Sequence, residues 1–234
     1  LQRRVDKGKI TEEQKKEALS RITPTTDISL MKGADFVIEA VNEDFDIKRE
    51  VFRQLDSLCP PQVVLASNTS SISITKIGAT TQRPDKVIGM HFMNPVPLMK
   101  LLEIVVTIAT SDETLEIGKE FGKSVGKSIV IAQDTPGFIV NRLLTPFILN
   151  AIRMLEAGVA TKEDIDASIN LGLNHPMGPL TLADFIGLDT VLFIANAIYE
   201  ELKDPQYAPP ALLNKMVTAG WLGRKTGKGV YEYK

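Results

Sequence analysis

The chain has 234 residues and is nearly neutral, with 27 Lys and Arg against 29 Asp and Glu. That length suits one large or two small domains with a sizeable core, and balanced charge without a basic stripe argues against nucleic acid or an anionic membrane as the main partner. No apolar run approaches the ~18 residues of a membrane span, no signal-peptide pattern opens the sequence, and two histidines with one cysteine leave little for a zinc site. The lone Cys59 excludes an internal disulfide and suits a reducing, cytoplasmic setting. It lies just before Pro60-Pro61 at a predicted helix end and reads as a packing residue.

The first residue is Leu1, and residues 1–8 read as the middle of a charged helix, so the sequence is expected to begin inside an element. Residues 11–22 predict a helix capped by Thr11, with Glu12 and Glu13 in its first turn. Residues 25–29 suggest a short strand, and 35–40 a better one. Phe45, Ile47, Val51, Phe52, Leu55 and Leu58 fall on one face of a helix over 45–58. Strands come next at 63–66, 87–92, 101–107 and 128–132, with helices at 72–77 and 114–125, the latter capped by Ser111 or Asp112. This alternation predicts a largely parallel sheet.

At Asp134-Thr135-Pro136-Gly137 the character changes, and the remainder of the chain reads as helical. Residues 138–155 are apolar nearly all round and should be buried or at an interface. Thr161 opens another helix. Residues 176–179 break the pattern, 181–185 form a short helix, Asp189 is expected to cap a long one to Lys203, and 211–219 form the last. A Gly-rich basic tail closes the sequence. The expected division is an α/β domain over 1–133 and an all-helical domain over 134–234.

Three predicted strands run into polar clusters: residues 35–40 into Asn42-Glu43-Asp44, 63–66 into Ser67-Asn68-Thr69-Ser70-Ser71, and 87–90 into His91 and Asn94. Each cluster alone would serve as a turn or a helix cap. Parallel strands share one direction, so all three land on one edge of the sheet, where open α/β sheets bind ligands. His91 at such an edge suits proton transfer near neutral pH. Glu103 interrupts an apolar strand, and a buried carboxylate needs a partner such as that histidine. The alternative is an edge-strand Glu facing water. Asn141, an amide in an apolar helix, could bind structure or substrate equally well.

Ser67-Asn68-Thr69-Ser70-Ser71, His91-Phe92-Met93-Asn94-Pro95 and residues 134–142, Asp-Thr-Pro-Gly-Phe-Ile-Val-Asn-Arg, together closely resemble the L-3-hydroxyacyl-CoA dehydrogenases, and among them the bacterial 3-hydroxybutyryl-CoA dehydrogenases. Pro176-Met177-Gly178-Pro179 and residues 223–229 are similar to the family's C-terminal motifs, so the resemblance covers essentially the whole chain. It implies a Rossmann-like domain followed by an all-α domain, NAD or NADP as cofactor, and reversible hydride transfer at C3 of a short-chain acyl-CoA, acetoacetyl-CoA or 3-hydroxybutyryl-CoA. By the same match His91 is the general base, Glu103 the carboxylate that holds it, and Ser70 and Asn141 the groups that hydrogen-bond the substrate oxygen. Ala40, Glu43, Lys48, Asn68, Ser70, Asn94 and Lys225 match cofactor-contacting positions. Read without the family, Lys48 would equally be a solvated helix charge. The resemblance also implies a homodimer, as do the apolar stretches 138–155 and 191–202.

One departure is large. The family opens with a strand, a G-x-G-x-x-G turn and a helix, and nothing in these residues matches them. The expectation is therefore an N-terminally truncated Rossmann-like domain whose dehydrogenase activity is in doubt. Two other readings stand beside it: a non-catalytic dimerisation or acyl-CoA-binding remnant, and another β-hydroxyacid dehydrogenase of the same architecture.

Overall fold

The computed structural model describes residues 1–233. Five strands make one sheet in sequential order: β1 (Phe36–Glu39), β2 (Val64–Ser67), β3 (Val87–Phe92), β4 (Leu101–Val106) and β5 (Ser128–Gln133). The pairs β1–β2, β2–β3 and β4–β5 are parallel, whereas β3–β4 is antiparallel. The reversal has a simple cause. Parallel neighbours need a crossover of a dozen or more residues, and residues 93–100, with two prolines, are too few, so the chain turns straight back.

Side-chain alternation sends Leu65, Val87 and Val105 to one face with Phe52, Leu55, Ile74 and Ile77. Val64, Ala66, Ile88, Met90, Leu102 and Ile104 go to the other, against Leu115 and Phe121. Those helical residues belong to α3 (Phe45–Leu58), α4 (Ile74–Gly78) and α5 (Asp112–Ser124). Coverage on both faces explains why β2 and β3 read as continuous apolar runs rather than as alternating ones. Gly89 is required in β3 because a Cβ there would sit 2.7 Å from Val105 Cβ and 2.9 Å from Ile74 Cγ1.

Ahead of the sheet lie α1 (Gln2–Asp6) and α2 (Glu12–Ser20), the latter closed by a capping box between Thr11 and Gln14. The strand expected at 25–29 does not form. Thr25 Oγ1 accepts the Asp27 N–H at 2.9 Å, Asp27 accepts the Ser29 N–H at 2.9 Å, and a 3-10 helix runs over Ile28–Gly33. Short polar side chains that bond their own backbone compete with strand pairing, and here they win. Cys59 ends α3, buried in the core beneath β1 as a packing residue.

After β5 the chain is helical: α6 (Val140–Glu156), α7 (Lys162–Gly172), α8 (Pro179–Ile186), α9 (Leu188–Leu202) and α10 (Ala211–Thr218). These helices close a core of their own around Ile148, Leu149, Ile152, Leu180, Leu188 and Leu213. Pro146 lies inside α6 and offers no N–H, and the Tyr207 hydroxyl supplies Arg142 O with a donor at 3.3 Å. Asp189 is not the cap expected for α9. Gly187 is, because its φ of 105° turns the chain 95° between α8 and α9, a conformation side chains resist.

Two buried aspartates fix the C-terminal tail. Asp166 accepts from the Leu180 and Thr181 N–H groups and from the Tyr231 hydroxyl. Asp184 accepts from Val230 N–H, Tyr231 N–H and the Tyr233 hydroxyl. Burial first, and then the Asp184 carboxylate, push the Tyr233 phenol up to about 12.

Candidate active site

Antiparallel pairing places Glu103 of β4 directly opposite His91 of β3, so the two side chains share a face. His91 Nδ1 lies 2.7 Å from Glu103 Oε2, and both residues are buried. The other carboxylate oxygen, Oε1, accepts the N–H groups of Ile139 at 3.1 Å and Val140 at 2.9 Å, at the start of α6. Glu103 therefore ties the histidine to the junction between sheet and helices. A carboxylate can only accept, so Nδ1 carries the proton and Nε2 is the free basic nitrogen of the neutral ring. Ser70 Oγ is 3.0 Å from Nε2, where it can donate. Phe138, held at a φ of 49°, sets its ring edge-on to the imidazole with centroids 5.4 Å apart.

His91 opens onto a cleft of about 470 Å³ between the carboxyl edge of the sheet and α6, α8 and α9. Ser70, Asn94 and Asn141 line it with His91, and Leu144, Ile186 and Val191 are among its apolar walls. Asn141 is half-buried rather than buried, and its Nδ2 donates to Ser70 O at 3.4 Å. The structure thus gathers His91, Glu103, Ser70, Asn94 and Asn141 at one place.

The other expected site residues are distributed around this centre. Ala40 is exposed just past β1. Asn68 accepts the Phe92 N–H at 2.9 Å and so ties the end of β2 to β3. Glu43 accepts from four donors in the loop after β2: Thr69 Oγ1 at 2.6 Å, Ser70 N at 2.8 Å, and Ser71 N and Oγ at 2.9 Å each. Burial alone would raise the Glu43 carboxyl. The Thr69 hydroxyl, the Ser70 N–H, the Lys48 charge and the Ser71 hydroxyl together outweigh burial and hold it below the usual carboxylate range. Lys48 is not a solvated helix charge. It is fully buried, 2.8 Å from Glu39 Oε1 and 3.4 Å from Glu43 Oε2. Lys225 is half-exposed in the tail, paired with Asp189 at 2.6 Å, and is not among the residues lining the cleft.

Sequence reasoning missed Glu39. It ends β1 buried, and it accepts from Lys48, from the Ser67 hydroxyl at 2.7 Å and from the Val41 N–H at 2.6 Å. The signal was present, since a carboxylate in an apolar strand is what marked Glu103.

Two family models cover the chain. The 3-hydroxyacyl-CoA dehydrogenase NAD-binding domain matches residues 1–135, and the C-terminal domain of the same enzymes matches 137–233. The chain belongs to the 3-hydroxyacyl-CoA dehydrogenase family. It is 50% identical to a 3-hydroxybutyryl-CoA dehydrogenase of Bradyrhizobium diazoefficiens, across 100% of this chain and 80% of that protein. It is 45% identical to the human mitochondrial hydroxyacyl-coenzyme A dehydrogenase, across 99% of this chain and 76% of that one. The crystal structure of a (S)-3-hydroxybutyryl-CoA dehydrogenase from Ralstonia eutropha superposes with a TM-score of 0.96 at 48% identity, covering 100% of this chain and 82% of that one.

As in its 3-hydroxyacyl-CoA dehydrogenase relatives, a Rossmann-like sheet is followed by a helical domain, and the family chemistry is NAD-linked oxidoreduction. The residues present fit the reactive end of a nicotinamide cofactor. The carboxyl ends of three parallel strands meet there, Ser70 and Asn94 face an open cleft, and the basic Nε2 points into the same space.

Proposed function

We propose that this chain oxidises the 3-hydroxyl of a short-chain 3-hydroxyacyl-CoA and, in reverse, reduces the 3-ketone, with 3-hydroxybutyryl-CoA and acetoacetyl-CoA as the pair. One observation carries the reading. His91 is held at Nδ1 by a buried carboxylate while its basic Nε2 faces a cleft shared with Ser70 and Asn141. NAD would supply the acceptor for the C3 hydride, and Asn94 and Ser70 in the cleft, with Glu43 behind them, would hold it. NADP stands as the alternative cofactor.

His91 Nε2 removes the proton of the 3-hydroxyl as the C3–H bond breaks, the C3–O bond becomes a carbonyl, and the imidazolium is stabilised by Glu103. In the reverse direction the imidazolium returns that proton to the oxygen. Ser70 and Asn141 donate to the substrate oxygen and fix its distance from Nε2. The apolar cleft walls exclude water around the pair.

The test is a panel of acetoacetyl-CoA, longer 3-ketoacyl-CoA thioesters and free acetoacetate with NADH and NADPH. Acetoacetyl-CoA is expected to turn over best, and His91→Asn to lose about 10²–10⁴-fold in kcat. Equal use of the free acid, or an unimpaired His91→Asn, would overturn the reading.

The same proposal includes a homodimer formed through the helical domain. Most of 138–155 and 191–202 is consumed by that domain's own core, but Leu143, Leu171 and Leu173 are 71%, 86% and 61% exposed. An apolar groove between α6 and α7 is lined by Phe147, Met154 and Ile169. Apolar exposure of this kind marks interfaces. Light scattering at micromolar concentration is expected to give twice the 25.7 kDa chain mass, and a monomer would remove this part. The lone buried thiol fits a cytoplasmic location.

A further inference from the structure

We infer that Asp134 is a positioning residue for the Ser70–His91 pair, acting through the loop that carries Ser70; this rests on the reading of His91 and Ser70 above. Asp134 is the first residue after β5, and its own N–H donates to Val106 O at 2.9 Å, so its backbone is an extension of the sheet. From that fixed base its carboxylate reaches the loop between β2 and α4. Oδ2 accepts the Ser73 hydroxyl at 2.7 Å and the Thr75 N–H at 2.7 Å, and Oδ1 accepts the Ile74 N–H at 3.0 Å.

The loop running from Ser67 is thus held by two carboxylates. Glu43 grips Thr69, Ser70 and Ser71, and Asp134 grips Ser73, Ile74 and Thr75. Between these grips the Ser70 hydroxyl meets His91 Nε2. Downstream of Asp134 the same strand of chain delivers Phe138 to the imidazole and the Ile139 and Val140 N–H groups to Glu103. One residue therefore sits where the supports of both ring nitrogens join.

Asp134→Asn keeps the shape and leaves one accepting oxygen. Its NH₂ would then oppose either the Ile74 N–H or the Thr75 N–H, donor against donor. That releases the loop end and with it the Ser70 hydroxyl. A residue that served only to start α4 would change stability without touching the imidazole.

The readout is NMR of the ring nitrogens. The chain has two histidines, His91 and His175, so a His175→Gln background leaves one imidazole to follow. Ser70→Ala is expected to displace the His91 Nε2 resonance. Asp134→Asn should displace it in the same direction, and the double variant should match Ser70→Ala alone. Ser73→Ala, which removes one of the donors to Asp134 together with the cap on the Lys76 N–H, should give a smaller displacement of the same sign. If Ser70→Ala moves Nε2 while Asp134→Asn and Ser73→Ala do not, or if the displacements add, the inference is overturned and the site reading stands. If Ser70→Ala itself has no effect, the Ser70–His91 reading fails and takes the inference with it.

Discussion

Glu103→Gln is expected to lower kcat by about one to several orders of magnitude, and adding it to His91→Ala should cost little more than His91→Ala alone. Glu103 spends one oxygen on His91 Nδ1 and the other on the Ile139 and Val140 N–H groups. All of these partners are donors, so a glutamine amide must turn its NH₂ against one set. Facing His91, it opposes Nδ1–H and favours the wrong tautomer, with the proton on the nitrogen that should be the base. Facing α6, it leaves the partly buried Ile139 and Val140 N–H groups without their acceptor, a loss of about 1 kcal/mol each. Either way the negative charge that stabilises imidazolium is gone from a site where Glu103 is only 1% exposed. KM for the acyl-CoA should change less than kcat, because the lost interaction strengthens only as the ring gains its proton. Additive losses in the double variant would show that the two residues do not work as a unit.

How much of the site is legible in the sequence depends on where each residue's partner lies. His91 and Glu103 stand out because each is a polar residue in or ending an apolar strand, a local anomaly visible without the fold. The β1, β2 and β3 clusters converge as parallel strands require. Pairing His91 with Glu103 from sequence is an inference about neighbours, and what fixes it is the antiparallel register of β3 and β4, set by the short link at 93–100. Lys48 is ambiguous in sequence because an amphipathic helix normally shows its lysines to water, and only the position of Glu39 on the adjoining strand draws this one inside. Asp134 looks like part of a turn, since its partners Ser73, Ile74 and Thr75 lie about sixty residues upstream. The buried Asp166 and Asp184 are invisible for the same reason, as the tail that they bind is remote in sequence. The strand expected at 25–29 fails on local chemistry instead, through hydroxyl and carboxylate caps that a periodicity reading ignores.

Lys48→Met should be the most destabilising single change near the site. Methionine fills much of the same volume, so the loss is of charge rather than of packing. It strands Glu39, which is 4% exposed, and the half-buried Glu43 with no cation between them. Breaking a buried pair by removing one partner costs about 3–5 kcal/mol, a large share of the roughly 5–15 kcal/mol that typically holds a domain folded. The sign of the pH dependence comes from Glu43. Its carboxyl is lowered in the folded protein, so its contribution is present above the ordinary glutamate value of about 4.3 and is lost as pH falls through the lower folded value. Lys48 is one of the groups that lower it, so in Lys48→Met the folded value rises. The gap in unfolding free energy between the two proteins should accordingly be widest at neutral pH and narrow on acidification as Glu43 takes up its proton, first in Lys48→Met and then in the parent. Glu39→Gln added to Lys48→Met removes the unpaired carboxylate and should recover part of the loss. Urea unfolding of the parent, single and double variants across that range checks both points. A gap that stays constant or widens toward acid, or a double variant weaker than Lys48→Met, would show that the Glu39–Lys48–Glu43 network is not what holds the strand ends beneath His91.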